Sequence, residues 1–129
     1  MDVAIVAASM TDFGEHDTWI RDLLAEAGQS CLDAAPLDRE AVEHCYVSNM
    51  ASGEFEGQTG VVNALAHDLG LLGAYTQRVD QTSASGGAGV YAAWQSVASG
   101  ASECTLLVGG EKMTHRSTGE ATDVIASLT

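Results

Sequence analysis

Residues 2–10 read DVAIVAASM, a short and nearly continuous apolar run around Val3, Ile5 and Val6. A strand buried on both faces has that pattern. Residues 11–17 are polar, contain Gly14 and predict a loop. Ile20, Leu23, Leu24, Ala27, Cys31 and Ala34 then recur at helical spacing, with Asp17 or Thr18 as the N-cap. Pro36, the only proline, ends that helix, and Asp38 caps a short turn through Val42. Residues 44–50 (HCYVSNM) predict a second strand, and residues 51–60 a long polar loop. Val61, Val62, Leu65, Ala66 and Leu69 mark a helix that Gly70 closes. Residues 74–80 alternate weakly, as a third strand, and lead into the small, glycine-rich stretch QTSASGGAG. Val90, Trp94 and Val97 mark a further helix, ended by Gly100, and residues 104–108 (CTLLV) a fourth strand. Beyond Lys112 the pattern gives no firm element before Val124. The order β-α-β-α-β-α-β, with connections too long for hairpins, predicts an α/β fold with a mainly parallel sheet.

Candidate chemistry concentrates where the third strand meets its helix. Gly86, Gly87, Gly89, Ala92 and Ala93 are small, so other backbone comes close there. Ser83 sits where the helix begins, near unpaired N–H groups and the positive end of the helix dipole. A nucleophile and the oxyanion it creates suit that place. The plainer and commoner reading is that Ser83 or Thr82 is an N-cap. A third reading is that residues 87–92 (GAGVYA) fit the dinucleotide pattern G-x-G-x-x-G/A, with Glu111 near the end of the next strand. The intervening residues 81–86 weaken it, because they separate the glycines from the strand.

Elsewhere the bland readings lead. His16, His44, His67 and His115 have no metal-ligand spacing, so no metal is expected, and His67 reads as a surface or boundary residue. Glu54 and Glu56 read as part of a solvated loop. Cys31, Cys45 and Cys104 lie in apolar patterns and read as small hydrophobes.

At 129 residues the chain is one domain. Its formal charge of -13, with one lysine, argues against nucleic acid and against an anionic membrane surface. No apolar run approaches the ~20 residues that span a bilayer, and no secretory signal is expected. Three widely spaced cysteines fit reduced thiols in a cytoplasm. The acidic residues are dispersed, which predicts a solvated surface and fits a salt-rich, halophilic cytoplasm.

Four stretches in order, VAIVAASMTDFGEH, YVSNMASGEFEGQTG, RVDQTSASGGAGVYAAWQSVASG and TLLVGGEKMT, carry a family likeness. The chain resembles the amino-terminal half of a thiolase, in the archaeal acetyl-CoA acetyltransferase and sterol-carrier-like branch. The resemblance implies residues 1–129 as a thiolase amino-terminal domain, truncated before the second half. It implies an acyltransferase (β-ketothiolase) that moves acyl groups between coenzyme A thioesters, with coenzyme A as substrate rather than resident cofactor. In this branch the nucleophile is a cysteine in a Cys-Ala-Ser-Gly-Gly pattern. Here Ser83-Ala84-Ser85-Gly86-Gly87 stands there, so Ser83 holds the nucleophile position, its backbone N–H an oxyanion donor. A hydroxyl is far less acidic than a thiol and needs a general base. The family's histidine and second cysteine come from the half this chain lacks.

Ser83 is thus a serine nucleophile, an inactivating replacement, or the mark of a non-catalytic paralogue. The intact glycines around it favour the first. The resemblance further implies a homodimer or tetramer through residues 74–80, and a separate OB-fold partner with a zinc ribbon. The alternative function is a non-catalytic acyl-CoA- or nucleotide-binding module.

Overall fold

The computed structural model describes residues 2–128. Its elements run α1 (Ile20–Ala34), a 3-10 turn (Arg39–Ala41), β1 (His44–Ser48), α2 (Ser52–Glu56) and α3 (Val61–Asp68). Then follow β2 (Tyr75–Val79), α4 (Ser85–Ala98), β3 (Thr105–Gly109) and α5 (Thr118–Ser127). The strands form one sheet in the order β2-β1-β3, parallel throughout. In register, His44 lies between Tyr75 and Thr105, and Ser48 between Val79 and Gly109. The α/β class and the parallel sheet are those the pattern predicts.

Alternation along β1 divides the layers. Cys45 and Val47 face one side with Leu106 and Val108 of β3, and α1 and α3 cover them with Leu24, Val61, Leu65 and Leu69. Helix α1 comes close there, since a Cβ at Gly28 would lie 2.8 Å from Leu69 Cδ1. The opposite face carries α4, which buries Ser85, Gly89 and Ser96. A side chain at Gly89 would collide with Ser48 and Leu107, so only glycine lets α4 sit this near the sheet. A second, smaller cluster of Met50, Ala51 and Phe55 lies under Ala121, Val124, Ile125 and Leu128.

Three expectations change. Residues 2–10 form no strand: they have no ladder partner, and Ile5 and Val6 are 87% and 55% exposed. An extended apolar run becomes a strand only beside another strand, and neither edge of the sheet receives it. The N-cap of α1 is Trp19 rather than Asp17 or Thr18, and it contributes no side-chain cap. The Thr18 hydroxyl instead donates to Asp22 at 2.8 Å. Glu56, from the far end of α2, accepts the Ile20 N–H at 2.9 Å. The polar stretch 51–60 is not a plain loop but contains α2, whose Phe55 is buried. Glu56 is accordingly not solvated. Its side chain is 2% exposed, with Lys112 Nζ 3.5 Å from Oε1.

Candidate functional site

The carboxyl ends of parallel strands are where α/β folds place ligands. Here three loops meet there: residues 49–51 after β1, 80–84 after β2 and 110–111 after β3. Polar and charged side chains tie them together. Glu111 accepts the N–H groups of Met50 and Ala51. Asn49 Nδ2 donates to the Gly110 carbonyl at 2.9 Å. Arg78, on β2, donates to the Met50 carbonyl at 3.3 Å and to Asp80 at 3.1 Å. Burial pushes the Glu111 carboxyl above its ordinary value, against the two backbone N–H groups and Arg78.

Ser83 lies on the turn between β2 and α4. The N-cap of α4 is Ala84, so Ser83 stands one residue before it and its side chain makes no cap. Thr82 does not cap the helix with its side chain either; it has φ +48°, the one positive φ at a non-glycine residue among those described. The N-cap reading of these two residues therefore fails. Ser83 is exposed, and its hydroxyl has no hydrogen-bond partner among the described residues. The N–H groups of Gly86 and Gly87, in the first turn of α4, donate to no backbone carbonyl. An exposed hydroxyl just before the positive end of a 14-residue helix is placed where a nucleophile and the oxyanion it creates are favoured.

The dinucleotide reading does not survive either. Residues 87–92 lie inside α4, not in a strand-to-helix turn, and Glu111 is occupied with Met50 and Ala51. Among the described residues no histidine is hydrogen-bonded to Ser83. His16 bonds the Asp12 carbonyl at 2.8 Å, His44 the Ser96 hydroxyl at 2.6 Å and His115 the Phe55 carbonyl at 3.2 Å. His67 is exposed beside Asp68, as the pattern predicts. Cys45 is buried and its thiol is pushed up to about 11, which makes it inert. Burial also raises the Cys104 thiol. Sequence reasoning missed Arg78 and Asn49 as organisers of the site, because their partners Met50 and Gly110 lie on loops that the sheet brings together, and it missed Asp80, whose local bonds depend on the positive φ of Thr82.

The chain as a whole has a family counterpart. The chain belongs to the thiolase family: residues 3–129 match the thiolase N-terminal domain. Among its relatives is the acetyl-CoA acetyltransferase of Methanocaldococcus jannaschii, 39% identical over 127 residues, which are 98% of this chain and 32% of the relative. The acetyl-CoA acetyltransferase of Methanothermobacter thermautotrophicus is 35% identical over 114 residues, 88% of this chain and 30% of that protein. Rat sterol carrier protein 2 is 33% identical over 121 residues, 91% of this chain and 21% of the relative. The chain thus spans less than two thirds of the length of each.

Proposed function

We propose that this chain is the nucleophile-bearing part of an acyltransferase that moves acyl groups between coenzyme A thioesters through an acyl-enzyme on Ser83. The observation that carries the reading is the exposed Ser83 hydroxyl just before α4, in whose first turn the N–H groups of Gly86 and Gly87 donate to no backbone carbonyl among the described residues. Its Oγ attacks the thioester carbonyl carbon, and the new C–O bond replaces the C–S bond. Coenzyme A leaves as a thiolate and takes up a proton. The serine proton passes to a base. No described side chain bonds Ser83, so that base belongs to the carboxyl-terminal half of the family's fold, as the resemblance implies. Coenzyme A is then a substrate, not a resident cofactor. The 129-residue chain alone is expected to show no thiolysis of acetoacetyl-CoA, because proton transfer typically contributes ~10²–10⁴-fold.

The test is intact-mass spectrometry after incubation with acetyl-CoA, on the chain joined to a thiolase carboxyl-terminal half. One acetyl group on the parent protein and none on Ser83→Ala is the expected result. Ser83→Cys should keep or raise activity, since a thiolate forms more readily. Equal acetylation of the parent and Ser83→Ala would overturn the nucleophile assignment. Absence of acetylation in both would favour the non-catalytic binding module, which the missing base partner of Ser83 also fits.

Assembly is a second part of the proposal. Strand β2 is a sheet edge, bonded only to β1, with Tyr75 53% exposed. Exposed edges are paired or covered in stable proteins, and a two-fold is the commonest closed solution. Pairing of β2 with its own copy gives the homodimer or tetramer, and a monodisperse mass near 13.3 kDa by light scattering would reject it for this chain. The OB-fold zinc-ribbon partner rests on the family resemblance alone.

A further inference from the structure

We propose that Asp80 is a positioning residue that aims position 83, a proposal that rests on the acyl-transfer reading only for what position 83 then does. Asp80 follows β2 and precedes the strained Thr82. Its Oδ1 accepts the Thr82 N–H at 2.9 Å, which fixes the peptide plane entering the positive-φ residue. Its Oδ2 is held by Arg78 at 3.1 Å, and the same guanidinium nitrogen reaches the Met50 carbonyl. From the other side Ser85 closes the turn. Its Oγ accepts the Gln81 N–H at 2.8 Å and donates to the Thr82 carbonyl at 2.7 Å, with Asp80 Oδ1 3.4 Å away. The Ser85 carbonyl is in turn bonded by Ser48 at 2.9 Å, which ties the start of α4 to β1. A β-branched residue at positive φ persists only where its surroundings over-determine it. Asp80 and Ser85 do so here, and the residue they leave projecting is Ser83. Loss of the Asp80 acceptor lets Thr82 relax to an ordinary φ and turns position 83 away from the first turn of α4.

Charge and position predict opposite behaviour, so four residues at position 80 decide between them. Aspartate and Asp80→Asn place an acceptor at the same distance. Asp80→Glu and Asp80→Ala do not, although glutamate keeps the charge. The probe is the thiol made by Ser83→Cys, in this 129-residue chain, alkylated by iodoacetamide across a pH series. Peptide mapping separates it from Cys31, Cys45 and Cys104. The charged groups around the turn are Arg78, Asp80 and Glu111. A thiol held at the helix start titrates below the ordinary ~8.5. The expected midpoints are low for aspartate and asparagine and about half a pH unit higher for glutamate and alanine, from loss of the helix-terminus interaction. A simple charge effect gives low midpoints for asparagine and alanine and high ones for aspartate and glutamate. That grouping, or one midpoint for all four, overturns the proposal. Far-UV circular dichroism checks the fold, and if alanine disturbs it the other two variants are read against the aspartate parent: asparagine matching aspartate with glutamate higher supports positioning, and asparagine lower with glutamate matching aspartate overturns it. Failure of acetyl-CoA to acetylate Ser83 sinks the acyl-transfer reading but leaves this grouping as it stands, so the two failures are distinguishable.

Discussion

Thr82 holds a backbone conformation that costs an L-residue roughly 1–2 kcal/mol, at φ +48° beside the candidate nucleophile. Glycine removes that cost but has more freedom to lose on folding, worth roughly 0.5–1 kcal/mol. Thr82→Gly should therefore raise stability by up to about 1 kcal/mol, and urea melts that show a loss would mean that the threonine is not strained there. Glu111 gives a pH prediction of opposite character to Asp68. Burial raises Glu111 above its ordinary 4.5, so the folded chain binds its proton more tightly than the unfolded one. Stability from this group is full below pH 4.5 and is lost as pH rises through the folded value. Asp68 is lowered from 3.8, first by its hydrogen bond to Arg21, and its contribution is present above 3.8 and lost as pH falls through the folded value. Denaturant melts from pH 4.5 upward should show a steeper fall for the parent than for Glu111→Gln, which keeps an acceptor for Met50 and Ala51. Parallel curves would show that Glu111 titrates normally.

Between elements, the start of α1 is fastened by the end of α2. Glu56 caps Ile20 with one oxygen and faces Lys112 with the other, in a pair that is 2% and 10% exposed. Removing one partner of a buried pair leaves the other charge without compensation, at about 3–5 kcal/mol. Glu56→Ala should cost about that much, Lys112→Met somewhat less because the cap stays, and a thermal melt that barely moves for Glu56→Ala would refute the fastening. This is also where legibility ends. Strands 44–48, 75–79 and 105–109 and helices α1, α3 and α4 were readable, because apolar spacing and the stops at Pro36, Gly70 and Gly100 are local signals. Helix α2 has five residues, too short for a helical period to show. Helix α5 had a readable signal that the polar pattern hid: Ser117 and Glu120 form a capping box. Residues 2–10 read as a strand because apolar runs do, yet pairing is not a local property. In the site, Ser83 was readable from its place before a glycine-rich helix. Arg78 was not, since its Met50 partner comes from another loop, and Asp80 was not, since its bond to the Thr82 N–H depends on a positive-φ turn that no glycine marks in the sequence.

Across the whole molecule, charge is the unbalanced quantity. Eighteen acidic residues face five basic ones, and the basic ones are already committed. Arg21 pairs with Asp68, Arg78 with Asp80, Lys112 with Glu56 and Arg116 with Glu120. Arg39 instead binds the Leu69 carbonyl and Gln29. Among the described residues the other carboxylates have no Lys or Arg within ion-pair distance, so their mutual repulsion acts through solvent. Repulsion of that kind opposes the compact state and is screened by salt, with a Debye length of ~10 Å at 0.1 M and ~3 Å at 1 M. Ion pairs exposed at the surface, such as Arg21–Asp68, are weakened by the same screening, but each is worth little, whereas the repulsion sums over the whole net charge of -13. The melting temperature should therefore rise between dilute buffer and molar KCl. Sodium and potassium chloride should act alike if screening is the cause, and half-charge-reversed surface variants should rise less. A melting temperature that is unchanged or lower in molar KCl would show that the acidic surface does not limit stability, and would count against a salt-rich cytoplasm as the setting for which this chain is built.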